Sequence, residues 1–187
     1  MKAKLIALTA GIALFSATAH AGSPGQPYAS QQHRAIKAMS ADDIEGYLQG
    51  LGLGYAKTAE LNHFPGPTHL RQLADELHLS AETRTRLKRI EDDMRARAQA
   101  LGREIVQLEQ QLDSMFAHAT VNPELVRLLT RRIGMAKGEL RAVHLNAHLR
   151  TRPLLNKDQI ARYDELRGYD QNQHGDNMDT KGHHLGR

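Results

Sequence analysis

His144 and His148 stand four residues apart, one turn if the segment is helical, so both imidazoles can face one point. Histidines at this spacing bind Zn²⁺, Cu²⁺, Ni²⁺ or Co²⁺, which makes the pair the candidate metal ligands of the chain. Each directly follows an apolar residue, Val143 or Ala147, and therefore lies on the flank of an apolar seam rather than at its centre. The alternative is a pair of half-buried interface histidines hydrogen-bonded across two helices. No glutamate completes a His-Glu-x-x-His pattern, so metalloprotease chemistry is not expected. The chain has no cysteine, no Gly-x-Ser-x-Gly elbow and no phosphate loop, and it reads as a non-enzyme that requires no cofactor. His63, His69 and His78 lie near a Pro-Gly-Pro break, and solvated or loop positions are the expectation for them. His174, His183 and His184, with Asp176 and Asp179, form a tail tract that could gather metal loosely.

A second possible chemistry is recognition of other chains. Arg84, Arg86, Arg89, Arg95 and Arg97 surround Met94, and together they form a candidate client surface. Charge speeds encounter with a partner, while a flexible thioether makes tolerant apolar contacts. Arg127, Arg131, Arg132 and Arg141 add a similar density further on. The plainer reading is a solvated face on which these cations alternate with Glu91, Asp92, Asp93 and Glu104.

The elements that must position these groups are helical. Tryptophan is absent and aromatic content is 4%, which suits helices packed through Leu, Ile, Met and Ala. Residues 1–21 read as a cleaved signal peptide, with Lys2 and Lys4 before a short apolar run and Ala19-His20-Ala21 at the cleavage site. The expected location is the periplasm. Losing those two lysines lowers the formal charge from +4 to +2, and near-balance with export argues against nucleic acid as a partner. Residues 22–39 are expected to be a flexible lead, with a short helix possible over 31–39. Residues 40–169 form the expected helical domain, and 170–187 a disordered His/Asp/Gly-rich tail.

Within the domain, Ser40 caps a helix that the run Gly50-Leu51-Gly52-Leu53-Gly54 ends. Helical character resumes over 55–61, stops at Pro65-Gly66-Pro67 and returns over 68–77, with Leu70, Leu73 and Leu77 on one side. A long helix is predicted over 81–117, its seam being Leu87, Ile90, Met94, Ala98, Leu101, Ile105, Leu108, Leu112 and Met115. It would span about 55 Å and needs a partner along its length. Asn122 and Pro123 open that partner, which runs to about residue 150 with Leu125, Leu129, Ile133, Ala136, Leu140, Val143 and Ala147 on one stripe. The pair makes an antiparallel hairpin. Gly134 and Gly138 are expected to pack closely against the facing arm. Pro153 breaks the chain, and a last helix runs over 157–166 before Gly168. So few short helices cannot cover two long arms, which points to a homodimer.

Each end of the hairpin carries a similar phrase. Leu79-Ser80-Ala81-Glu82-Thr83 opens the first arm, and Leu155-Asn156-Lys157-Asp158-Gln159 opens the last helix. Leu79, Ser80 and Thr83, with Leu155, Asn156 and Gln159, resemble the doubled Leu-Thr-x-x-Gln motif of the Spy/CpxP family of periplasmic chaperones and stress proteins. Periplasmic heavy-metal sensors and resistance proteins are related to that family. Asn156 replaces the family's threonine, and Thr83 its glutamine, whose side-chain bonds would be missing at the first site. The resemblance implies an all-helical, curved dimer that holds unfolded or envelope proteins without ATP. For the metal-sensing relatives it implies divalent-cation binding and a membrane-bound signalling partner. A third possibility is a structural envelope protein with neither property.

Overall fold

Ser40, Ser80, Asn122 and Asn156 all have extended backbone, and each side chain accepts the N–H three residues on, from Asp43, Thr83, Leu125 and Gln159 respectively. Each cap satisfies an orphan donor and starts a helix. They recur in the computed structural model of the protein, which describes residues 27–169. The order is α1 (Ala41–Gln49), α2 (Lys57–Glu60), α3 (Pro67–Gln72), α4 (Ala81–Ala117), α5 (Pro123–Thr151), a 3₁₀ turn (Arg152–Leu154) and α6 (Lys157–Arg167). Among the described residues there is no strand, and no helix is long and apolar enough to cross a membrane. The proposed signal peptide and the tail histidines lie outside the described residues. The chain divides into a first unit ending at His33, whose described residues 27–33 form turns and bends, and a second beginning at Arg34.

The second unit is an all-helical hairpin with short flanking helices. α4 and α5 run antiparallel: Asp93 pairs with Arg150 at 2.5 Å, and further along α4 Glu109 pairs with Lys137 at 2.7 Å. Ile90, Met94, Ala98 and Ile105 meet Ala136, Leu140, Val143 and Ala147 in one apolar cluster, and Leu108, Leu129 and Ile133 continue it towards the loop. Leu101, Leu112 and Met115, expected in the seam, are only partly buried. α1 lies across α4, and the approach is close enough that Gly102 has no room for a side chain. A Cβ there would stand 1.9 Å from the Tyr47 carbonyl oxygen.

The two motif phrases meet. Leu79 and Leu155 share a cluster with Leu70, Ala74, Leu77, Leu87, Ile160 and Tyr163. Gln159 completes a capping box by accepting the Asn156 N–H at 3.1 Å, and its amide donates to the Leu77 carbonyl at 3.1 Å. Thr83 makes no such bridge and accepts only the Ser80 hydroxyl at 3.0 Å. Arg84 ties down the first phrase, donating to the carbonyls of Leu79 (2.8 Å) and Ala74 (2.9 Å).

Several expectations are corrected. No helix forms over 31–39; turns and bends do, and within 34–39 Ile36 and Met39 are buried while Lys37 pairs with Asp113 at 3.0 Å. The helix expected over 55–61 shrinks to the single turn α2. That expected over 68–77 ends at Gln72, with Ala74 rather than Leu73 fully buried beyond it. Gly134 and Gly138 do not face α4: both are exposed, and a Cβ on either would meet nothing within 4 Å. The stripe opposite them fills the seam without their help.

Candidate functional site

The site forms where α2 and the Pro-Gly-Pro segment fold over the last turns of α5. Prolines leave carbonyls without a local helix to bond them, and α5 supplies the donors. His148 Nδ1 lies 2.6 Å from the Phe64 carbonyl, and the Thr151 hydroxyl lies 2.5 Å from that of Pro65. A carbonyl only accepts, so the His148 proton sits on Nδ1 and the Nε2 lone pair is left free in the neutral ring. Gly66 is packed on that ring: a Cβ would approach Nε2 to 2.7 Å.

Glu60, at the end of α2, is the hub. Its carboxylate accepts the Tyr163 hydroxyl and, at 3.3 Å, the Gly66 N–H. His69 Nδ1 lies 3.3 Å away, His148 Nδ1 3.6 Å and Arg167 Nε 3.7 Å. Burial, then the bond to Glu60, pushes the Tyr163 phenol well above its ordinary range, so it stays a donor. Close by, His63 Nδ1 meets Asp164 Oδ2 at 2.6 Å. Sequence reasoning did not single out Glu60, Tyr163 or Asp164. A lone acid in a four-residue helix carries no spacing signal, and its partner Tyr163 lies 103 residues away in the chain.

His144 and His148 are both buried, at 3% and 7% exposure, more deeply than the half-buried interface positions of the alternative reading. The α2–α3 connection covers His148, which seam periodicity alone could not reveal. Tyr55 stacks on His144 with ring centroids 6.4 Å apart and planes 7° apart. Tyr55 in turn shares a hydroxyl contact with Tyr47 at 3.1 Å. Burial, helped by nearby His148, holds the His144 imidazole below the usual histidine range, so it is neutral at pH 7. Its Nε2 has no hydrogen-bond partner among the described residues. An unsatisfied buried group of this kind costs about 1–3 kcal/mol. Both histidines line a half-open cavity of about 550 Å³ bounded by the Gly50–Gly54 loop, α2, the start of α3, the hairpin, Arg167 and Tyr169. Among the described residues no three His, Asp or Glu side chains are grouped as a metal ion would need.

The expected client surface is only partly available. Met94 is buried in the hairpin core and lines the cavity floor. Arg84 is folded onto Leu79, Ala74 and Asp75, and Arg95 is paired with Glu91 at 2.8 Å. Glu91 is not on a solvated face: it is buried and also receives Arg71 and Thr68. Arg86, Arg89 and Arg97 remain exposed. The larger exposed apolar groups stand on α5, where Leu128, Met135 and Leu149 are 52%, 66% and 56% exposed. Their sevenfold spacing puts them on one face, opposite the seam. Arg131 and Arg132, both exposed, stand between the first two.

Fold and site thus define an all-helical hairpin domain with a buried histidine pair. Comparison with known protein families, curated proteins and solved structures finds no match to this chain.

Proposed function

We propose that this protein is a periplasmic, ATP-independent chaperone or envelope-stress adaptor, working as a homodimer of the Spy/CpxP kind. The observation that carries this reading is the outward face of α5. Three large apolar side chains stand in water at sevenfold spacing, with exposed Arg131 and Arg132 between the first two, Arg132 lying 3.9 Å from Glu104. Such a face offers tolerant apolar contact and long-range attraction to acidic segments, a combination suited to weak, fast capture of unfolded chains. Neither arm needs that face for its own packing. The test is suppression of aggregation of a chemically denatured client at near-stoichiometric ratio without nucleotide. No suppression at tenfold excess rejects the reading.

One observation favours a second reading, a heavy-metal sensor or resistance protein of the same fold that signals to a membrane-bound partner. His144 and His148 line one cavity, His148 keeps Nε2 free, and His144 Nε2 is unpartnered. Two imidazole nitrogens could anchor Zn²⁺, Cu²⁺, Ni²⁺ or Co²⁺ with water completing the shell. Calorimetric titration of residues 22–169 with each ion decides: absence of a saturable site eliminates this reading and leaves client capture standing.

A further inference from the structure

The cavity over the hairpin has a floor and a rim of different character. Buried Met94, Gly66, Pro67 and His144 make the floor. Exposed Leu51, Leu53 and Leu61 line the cavity with three cations, Lys57, Arg95 and Arg167, the last lying 3.7 Å from Glu60. The lining carboxylate, Glu60, is already spent on Tyr163, Gly66, His69 and His148. Lys57 has no carboxylate partner among the described residues, whereas Arg95 shares Glu91. The rim charge left for a visitor is therefore positive. Among the buried lining residues, His144 is 97% buried and keeps an unpartnered ring nitrogen. A leucine or phenylalanine at that position would pack beside Val143 and Ala147 without leaving a polar atom unpaired, so folding alone does not account for the imidazole.

We propose that the cavity binds a small, elongated, largely apolar molecule with a hydroxyl at one end and a carboxylate at the other. The hydroxyl meets the His144 nitrogen at the floor, the apolar body lies against Met94 and the rim leucines, and the carboxylate sits by Lys57. About 550 Å³ is within the range of pockets that enclose such ligands, and few, well-placed polar groups in an apolar wall are their usual form. A neutral imidazole can either donate to or accept from a hydroxyl, which makes this group the better match at the floor than a second charge. The inference stands apart from client capture, which uses the opposite face of α5.

The test is calorimetric binding, in chelator-treated buffer, of three probes: ω-hydroxydecanoate, decanoate and α,ω-decanediol. The full chain should bind ω-hydroxydecanoate saturably, decanoate about tenfold more weakly for want of the hydroxyl, and the diol several-fold more weakly for want of the charge. Lys57→Ala should weaken both acids several-fold and leave the diol unchanged. His144→Phe should remove the preference of ω-hydroxydecanoate over decanoate, and its melting temperature should not fall, because it deletes an unsatisfied group. Absence of saturable binding by all three probes overturns the proposal. So does equal affinity for decanoate and ω-hydroxydecanoate, or binding that neither substitution alters.

Discussion

Replacing Gly102 by alanine tests how α1 is seated. Its Cβ would stand 1.9 Å from the Tyr47 carbonyl oxygen and 2.6 Å from the carbonyl carbon. Both are backbone atoms at the end of α1, so no side-chain rotation relieves the clash and α1 must lift from α4. Overpacking of this kind costs roughly 1–3 kcal/mol, near the top of that range when a helix has to move. Alanine returns about 1 kcal/mol of helix propensity. The net is a destabilisation of about 1–2 kcal/mol, or a melting temperature lower by roughly 3–8 °C in a domain of this size. Gly138→Ala is the matched control, because nothing lies within 4 Å of its Cβ. It should gain about 1 kcal/mol. Urea unfolding followed by helical circular dichroism, at a concentration where the chain is monomeric, measures both. Gly102→Ala at or above parental stability with an unchanged m-value would refute the seating of α1 on α4.

Removing the hub carboxylate by Glu60→Ala leaves the buried Tyr163 hydroxyl and the Gly66 N–H without an acceptor and should cost about 3 kcal/mol by urea unfolding. Tyr163→Phe removes one bond and should cost about 1 kcal/mol, so a larger loss from Tyr163→Phe than from Glu60→Ala would contradict the hub. The Ser40 hydroxyl and N–H hold the Asp43 carboxyl below the usual carboxylate range. A carboxyl stabilised in its ionised form contributes above its unfolded pKa of about 3.9, and the contribution is lost as pH falls through the lower folded value. Because Asp43 is exposed, Asp43→Ala should cost only about 0.5 kcal/mol at pH 7, and the gap to the parent should close below about pH 4 in thermal melts.

Much of the backbone was legible because it rests on local signals. The bounds of α4 follow from Ser80 and the 3,4 spacing of its apolar residues, and those of α5 from Asn122-Pro123. Gly50 and Gly168 close α1 and α6 in the left-handed conformation, with φ of 66° and 69°, where glycine carries no Cβ penalty. The site was less legible because it depends on what folds over the hairpin. Val143 and Ala147 placed His144 and His148 beside the seam, but the Phe64-Pro65-Gly66 crossing covers His148 and Tyr55 stacks on His144. Glu60 gave no pattern to read. Glu91 looked like one acid among several in a charged run, yet α3 supplies two of its partners, Thr68 and Arg71, and its own helix the third, Arg95. Met94 was placed correctly in the seam, and that placement removes it from a client surface.

On the proposed function, unfolded clients are held on the outward face of α5. The direct measurement replaces Leu128, Met135 and Leu149 together by serine and follows aggregation of a denatured client by light scattering without nucleotide. All three side chains are exposed, so helicity and melting temperature should stay within the small range of surface substitutions. The parent should suppress aggregation at near-stoichiometric ratio, and the triple variant should need at least a tenfold higher concentration for the same effect. A folded triple variant that suppresses aggregation as well as the parent would contradict the proposed function.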